Sequence, residues 1–472
     1  MASINFLLVL SLSLVLLSAA MAERQTRLQL SEEQQCRFQS LSAAQPSQRI
    51  ESEGGITELW DERQDQFQCA GVVAMRNTLR PNGLSLPNYH PAPRLVFIEQ
   101  GQGFISITFP GCAETYHAHR TQRTRESTEE WERKQRGSVR DLHQKVHRIR
   151  RGDIIALPAG AAHWAYNDGN EELIAVSIND VNHQSNQLDQ KFRAFYLAGG
   201  VPRRSSGGGG QQEQARETFQ NIFRAFDTKL LAEAYNVPEE IIKRMQTEEE
   251  ERGLSVIARE HMSFIRPDEE QEQGQEQEQW GGRQSAADHN GLEETFCTMK
   301  ILSSVENRRE ADIYSRQAGK VNVVDSHKLP ILRFMDLSAE KGNLYPNALL
   351  SIHWAQHGHS IVYVTRGDAQ VQIVNHVGQN MMNDRVKQGD MFVVPQYYTS
   401  TATAGNNGFE WVSFKTTGWP MRSPMAGYTS VIRAMPLQVL TNAYQMSPRQ
   451  AEGLKMNRGG QSYLLAPGGK QY

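Results

Sequence analysis

Three stretches of this 472-residue chain occur twice and in the same order, and that repetition restricts the possible folds more than any other feature. "PRLVFIEQGQGFISITFPG" (93–111) returns as "HSIVYVTRGDAQVQIV" (359–374), and "RRGDIIALPAG" (150–160) returns as "KQGDMFVVPQY" (387–397). "LLAEAYNVPEEIIKRM" (230–245) returns as "VLTNAYQMSPRQAEGLK" (439–455). The unit is too long for a solenoid repeat, so a whole domain is duplicated. The first block in each copy is a β-branched and aromatic run broken by glycine, which predicts a hairpin. The third block reads as helix starts: Pro238 and Pro448 sit where a first turn tolerates proline, and Ser447 can cap. Many short strands favour a closed sandwich or barrel, because closure removes exposed edges. The expected fold is therefore mainly β, with two tandem barrels, each followed by a small helical extension.

Residues 1–22, "MASINFLLVLSLSLVLLSAAMA", carry no charged side chain and hold an apolar run from Phe6 to Leu17. They end in Ala20-Met21-Ala22, so they read as a secretory signal cleaved between Ala22 and Glu23. The run is shorter than the roughly 20 residues of a spanning helix, so no membrane partner is expected. Four cysteines follow: Cys36, Cys69, Cys112 and Cys297. An even number in an oxidising compartment predicts two disulfides, drawn from three connectivities. None forms a C-x-x-C pair, which argues against a structural zinc.

Three segments, 117–141, 203–217 and 266–290, are rich in Gln, Glu, Arg, Gly or Ser and lack apolar periodicity, so each is expected to be mobile. The last ends in Asn290-Gly291. From Gly291 onward Lys and Arg number 18 against 13 acidic residues, a net of +5; before it they number 32 against 40, a net of −8. An acidic half thus meets a mildly basic one at that dipeptide. Neither half has the dense basic patch that nucleic acid needs. Asn-Gly also occurs at Asn82-Gly83 and Asn407-Gly408, where it predicts tight hairpin turns.

"GDIIALPAGAAHWAYN" (152–167) places Gly152, Pro158, Gly160, His163 and Asn167 at fixed spacing. It resembles the second signature of the cupins, small jelly-roll barrels in which that histidine is a metal ligand beside two histidines and a glutamate of a first signature. Counting back from Gly101, those positions hold Pro87-Asn88-Tyr89 and Arg94, which leaves His163 alone. Counting back from Gly367 in the second copy gives His353-Trp354-Ala355 and Ser360, with Tyr397 and Ser400 replacing the later glycine and histidine. One imidazole per barrel does not hold a catalytic ion. No metal, cofactor or enzymatic activity is expected; a metal-dependent bicupin enzyme, such as an oxalate-degrading type, is the competing reading.

The remaining histidines read as solvated. His117-Ala118-His119 and the i, i+4 pair His143 and His147 lie in or beside a charged segment, and His357 and His359 flank the start of a strand. Arg151-Gly152-Asp153 recurs as "QGD" in the second copy, so it is a turn leading into a strand.

With "NGLEETFCTMK" (290–300) and "NIFRAFDTKLLAEAYNV" (221–237) added, the chain resembles the legumin-type (11S) seed storage globulins over its whole mature length. The resemblance implies an acidic chain, 23–290, and a basic chain, 291–472, each with one barrel and one helical extension. It implies disulfides Cys36–Cys69 and Cys112–Cys297, cleavage after Asn290 by an asparaginyl endopeptidase, trimers before cleavage and hexamers after. It further implies deposition in the protein storage vacuole of the seed as a nutrient reservoir mobilised at germination, and allergenicity.

Overall fold

The computed structural model describes residues 38, 40–109, 111–112, 116–117, 142–200, 219–247, 252–262, 297, 299–306 and 311–468. The signal segment 1–22, Cys36, the Asn290-Gly291 bond, the segments 203–217 and 266–290, and all of 117–141 except His117 lie outside the described residues.

The first barrel is built from two sheets. One runs in the order Gln48–Ser52, Gly55–Trp60, Val72–Leu79, Leu173–Asp180, Arg94–Gln100, Asp153–Leu157, Leu302–Ser304. The other runs Phe195–Tyr196, Gly83–Tyr89, Ala162–Tyr166, Gln102–Thr108, Val146–Arg150, and Ser255–Ile257 also pairs with Gly83–Tyr89. Asp153–Leu157 is buried at every position, as expected of a strand covered on both faces. In the second barrel the strands Ser360–Val374 and Thr399–Lys415 run the length of the sheet and pair with each other throughout.

These long strands overturn the hairpin expectation. Arg94–Gln100 and Gln102–Thr108 do not pair; they lie in opposite sheets on either side of Gly101. In the second copy the matching run is one strand bent at Gly367. Both glycines have positive φ, 82° and 73°. At Gly367 an added Cβ would lie 2.1 Å from the Gly408 carbonyl oxygen. The glycine therefore turns a barrel corner and does not close a hairpin. Asn407-Gly408 likewise lies inside Thr399–Lys415, at a register irregularity, and Asn82-Gly83 joins strands of different sheets. Neither is a hairpin turn. The Asp153 and Asp390 turns do match each other: each carboxylate accepts a backbone N–H three residues earlier, from Arg150 and Lys387.

The helical blocks form as the sequence indicates. Thr228–Tyr235 and Glu239–Thr247 follow the first barrel, with Leu437–Ala443 and Pro448–Met456 at matching places after the second. Ser447 and Gln450 make a reciprocal capping box at the start of the last helix. Each extension buries little: Leu231 and Ile242 are buried, whereas Leu230, Tyr235 and Ile241 are more than half exposed.

The barrels are not independent. Trp60, Phe97 and Ile155 share one continuous core with Leu332, Tyr363 and Phe414. Segments also cross over. Leu302–Ser304, from beyond the Asn290-Gly291 bond, adds a strand to the first barrel through Ile155↔Leu302, Ile154↔Ser303 and Asp153↔Ser304. In the opposite direction, Leu41 packs in the second barrel's core and the Ala44 N–H donates to the Met391 carbonyl at 2.7 Å. Among the described helices none is long and apolar enough to cross a membrane.

Candidate functional site

Two barrel interiors and one chain junction are the places where this fold could act. In the first interior, His163 is buried on Ala162–Tyr166, with its Nδ1–H directed to the Ala161 carbonyl at 3.2 Å. It is not alone, contrary to the sequence count. The His90 ring lies 5.6 Å from it, centroid to centroid. Tyr89, the residue the count selected, points elsewhere and stacks on Phe195 at 5.0 Å. A spacing of three residues before Arg94, in place of four, would have selected His90, so the signal was present.

Arg94 decides the chemistry. Its Nε donates to Asn179 Oδ1 at 2.9 Å, and Nη2 lies 3.1 Å from Met75 Sδ and 3.4 Å from His90 Nδ1. Burial, reinforced by the Arg94 charge, holds the His163 imidazole down to about 3; the same causes, with His163 added, hold His90 well below its ordinary value. Burial also brings Arg94 down to about 10, so it stays cationic at neutral pH. A permanent guanidinium at the carboxylate position repels a divalent cation. The residues present do not fit a metal.

The second interior fails differently. His353 on Leu349–Ala355 donates from Nδ1 to the Ser351 carbonyl at 2.8 Å and accepts at Nε2 from the Tyr463 hydroxyl at 3.1 Å. Both ring nitrogens are committed. Ser360 and Ser400 stand where ligands would be, and Lys415 Nζ donates to Ser360 Oγ at 2.8 Å. No group of three His, Cys, Asp or Glu suited to a metal occurs among the described residues.

The other histidines divide. His357 is exposed, as expected. His359 is not solvated: it is half-buried beside Phe38, its Nδ1 accepts the Gln396 N–H at 3.2 Å, and burial holds it down to about 4. His143 and His147 lie on strands, Leu142–His143 and Val146–Arg150, so their helical spacing is accidental. Strand pairing with Gln102–Thr108 gives His147 a fixed place that its charged neighbourhood did not suggest.

At the junction, Cys112 and Cys297 are joined by a disulfide, with Cα atoms 5.4 Å apart across 185 residues of sequence. Gln144 clamps the segment carrying Cys112: its Nε2 donates to the Phe109 and Cys112 carbonyls, and its Oε1 accepts the Phe109 N–H. Just past Cys297, Ile301 and Val305 are buried, and the Ile301 carbonyl accepts the Ala156 N–H at 2.8 Å. Glu306 then pairs with Lys341 and with Arg151; burial raises its carboxyl, but these cations outweigh that and lower it. Cys69 is also disulfide-bonded.

The cupin family model matches residues 41–203 and 305–452, one match per barrel. The chain is 71% identical to 11S globulin seed storage protein 2 of Sesamum indicum over 471 residues, covering 100% of both chains. It is 41% identical to the 11S globulin seed storage protein Ana o 2.0101 of Anacardium occidentale, over 94% of this chain and 95% of that one. Procruciferin, an 11S globulin from Brassica napus, superposes with a TM-score of 0.78 at 32% identity, over 93% of this chain and 100% of that one. The relatives are named for storage. The chain therefore belongs to the cupins and, within them, to the 11S globulin seed storage proteins.

Proposed function

We propose that this storage globulin is made as a precursor, loses its signal between Ala22 and Glu23, and is cut once between Asn290 and Gly291 by an asparaginyl endopeptidase. It then accumulates in the seed's protein storage vacuole as a nutrient reservoir without catalytic activity. The carrying observation is that Leu302–Ser304, which belongs to the basic chain, is already a strand of the first barrel's sheet. The Cys112–Cys297 bridge adds a covalent link across the same place. A cut at 290–291 therefore severs neither core, and its products stay associated. Cys36 is proposed as the partner of Cys69, which is disulfide-bonded.

Assembly follows from the helical extensions. Leu230, Tyr235 and Ile241 in the first, and Val439, Tyr444 and Leu454 in the second, leave about half or more of their surface exposed. Two matching apolar faces on one chain are suited to head-to-tail contact, which closes into a ring; the ring is a trimer, and cleavage permits two trimers to stack. Intact mass with and without reductant tests the scheme. Expected are one disulfide-linked species in its absence and two chains, starting at Glu23 and Gly291, after reduction and denaturation. A single chain under both conditions rejects processing. Asn290→Ala is expected to give a folded, uncut chain that stops at trimers by sedimentation; hexamers of that variant reject the requirement for cleavage.

A further inference from the structure

We infer that the second barrel captures a short aliphatic aldehyde covalently, the Lys415 amine adding to the aldehyde carbon and condensing with it to an imine. The capture is stoichiometric and not catalytic. It goes beyond storage, which needs no reactive group, and it does not depend on where the chain is cut.

Lys415 ends the strand Thr399–Lys415, where register sets it between Ser338 on one neighbouring strand and Ser360 on the other. Its Nζ donates to Ser360 Oγ at 2.8 Å, a neutral partner. Glu340 borders the same cavity but is committed to Arg422, whose Nη2 lies 2.6 Å from Glu340 Oε2. A buried amine without a counter-ion of its own is disfavoured as ammonium. Burial accordingly lowers Lys415 from its ordinary value; Glu340 opposes this, Arg422 adds to it, and the lowering prevails. His353 and Tyr463 supply no charge, because burial holds the imidazole down to about 4 and pushes the phenol up. A desolvated lysine of this kind is the one that forms imines with carbonyl compounds. The first barrel lacks it: the pair matching Ser360 and Lys415 is Arg94 and Asn179, and neither is a nucleophile.

The cavity that Lys415 lines measures about 60 Å³. One water needs about 10–15 Å³ on this measure, so about four to six non-hydrogen atoms fit, the size of an aldehyde with about three to five carbons. Away from the amine the walls are apolar: Val371 faces Ala402, with Phe392 and Phe409 alongside. Exposed Met421 and His357 border the cavity and mark the way in. A second group points to a carbonyl ligand. Ser413 precedes Lys415 by two residues, on the same face of the strand, and lines the same cavity. It is 1% exposed, and its Oγ has no hydrogen-bond partner. An unpaired buried hydroxyl beside the amine can donate to the carbonyl oxygen as attack places charge on it. In that attack the amine lone pair forms the C–N bond and the C–O π pair moves to oxygen, which gains a proton as nitrogen loses one. The carbinolamine then expels its hydroxyl as water with the second N–H hydrogen, and the C=N bond remains.

Limiting butanal with sodium cyanoborohydride, applied to the full chain at about pH 6.5 where ordinary lysines are ammonium, tests the site. The reductant converts the imine to a stable butyl-lysine, and peptide mass mapping reads its position. Alkylation of Lys415 is expected at least about tenfold faster than that of exposed Lys243 and Lys387. Alkylation of Lys415 no faster than of these two overturns the inference. The preference is expected to disappear with 1-naphthaldehyde, which is too large for the cavity; an equal preference with that aldehyde places the reaction outside the barrel and overturns the site. Ser413→Ala, a change too small to endanger folding, is expected to slow Lys415 about threefold to tenfold relative to Lys243. An unchanged ratio overturns the part given to Ser413.

Discussion

His90 and His163, buried, and His353, half-buried, are imidazoles that the fold keeps neutral, and this makes stability depend on pH at the level of single residues. Burial and the Arg94 charge lower His163 to about 3, and burial lowers His353 to about 4. In the unfolded chain each returns to roughly 6.5, so below that pH the unfolded state binds more protons and stability falls with acidification. For His163 the loss reaches about 3 kcal/mol at pH 4. Glu62, Glu99 and Asp153, which burial raises, act in the opposite direction from the ordinary carboxylate range upward. From about pH 6.5 to 5 the histidines lower stability as the pH falls, because that is where their unfolded forms take up protons. Urea midpoints measured across that range are expected to fall, and His163→Gln is expected to flatten the slope; a flat wild-type profile contradicts the assignment. The candidate site was half legible at this scale. His163 and Arg94 could be placed by spacing, but His90 was missed, because a signature of variable length was counted with one length only.

At the scale of elements, glycine was read correctly as an interruption and wrongly as a hairpin. Gly101 and Gly367 have the same sequence surroundings that a reversing loop would have. Reversal and corner differ in which strand the second half pairs with, and that partner is remote in sequence. Gly367→Ala tests the corner: a Cβ 2.1 Å from a backbone oxygen, at φ 73°, is expected to cost more than about 1–3 kcal/mol in chemical denaturation. A loss below about 0.5 kcal/mol shows that the corner relaxes easily. The helical blocks were legible because their signals are local: proline at the first turn, and Ser447 with Gln450 making a capping box. Their exposed faces make a further prediction. Ile241→Glu leaves the barrel core untouched, since Ile241 is 52% exposed. It is expected to shift sedimentation toward the single chain with little change in thermal midpoint; unaltered assembly removes that face from the interface.

At the scale of the whole molecule, the barrels behave as one body. A common core, the added strand Leu302–Ser304 and the hydrogen bond from Ala44 to Met391 tie the segments on either side of the 290–291 bond together. The disulfide is thus one tie among several. Reduction without denaturant is expected to leave the cut chains co-eluting in size exclusion, and reduction with urea to separate them. Separation by reductant alone would mean that the bridge does the holding. What the sequence determined by itself were properties carried by near neighbours along the chain: the duplication, the alternation of strand and turn, and the helix caps. What the tertiary structure alone decided were pairings between distant residues: which sheet each half of a bent strand joins, and which half of the chain a crossing segment completes. Those choices depend on shared burial across hundreds of residues, and no local spacing encodes them.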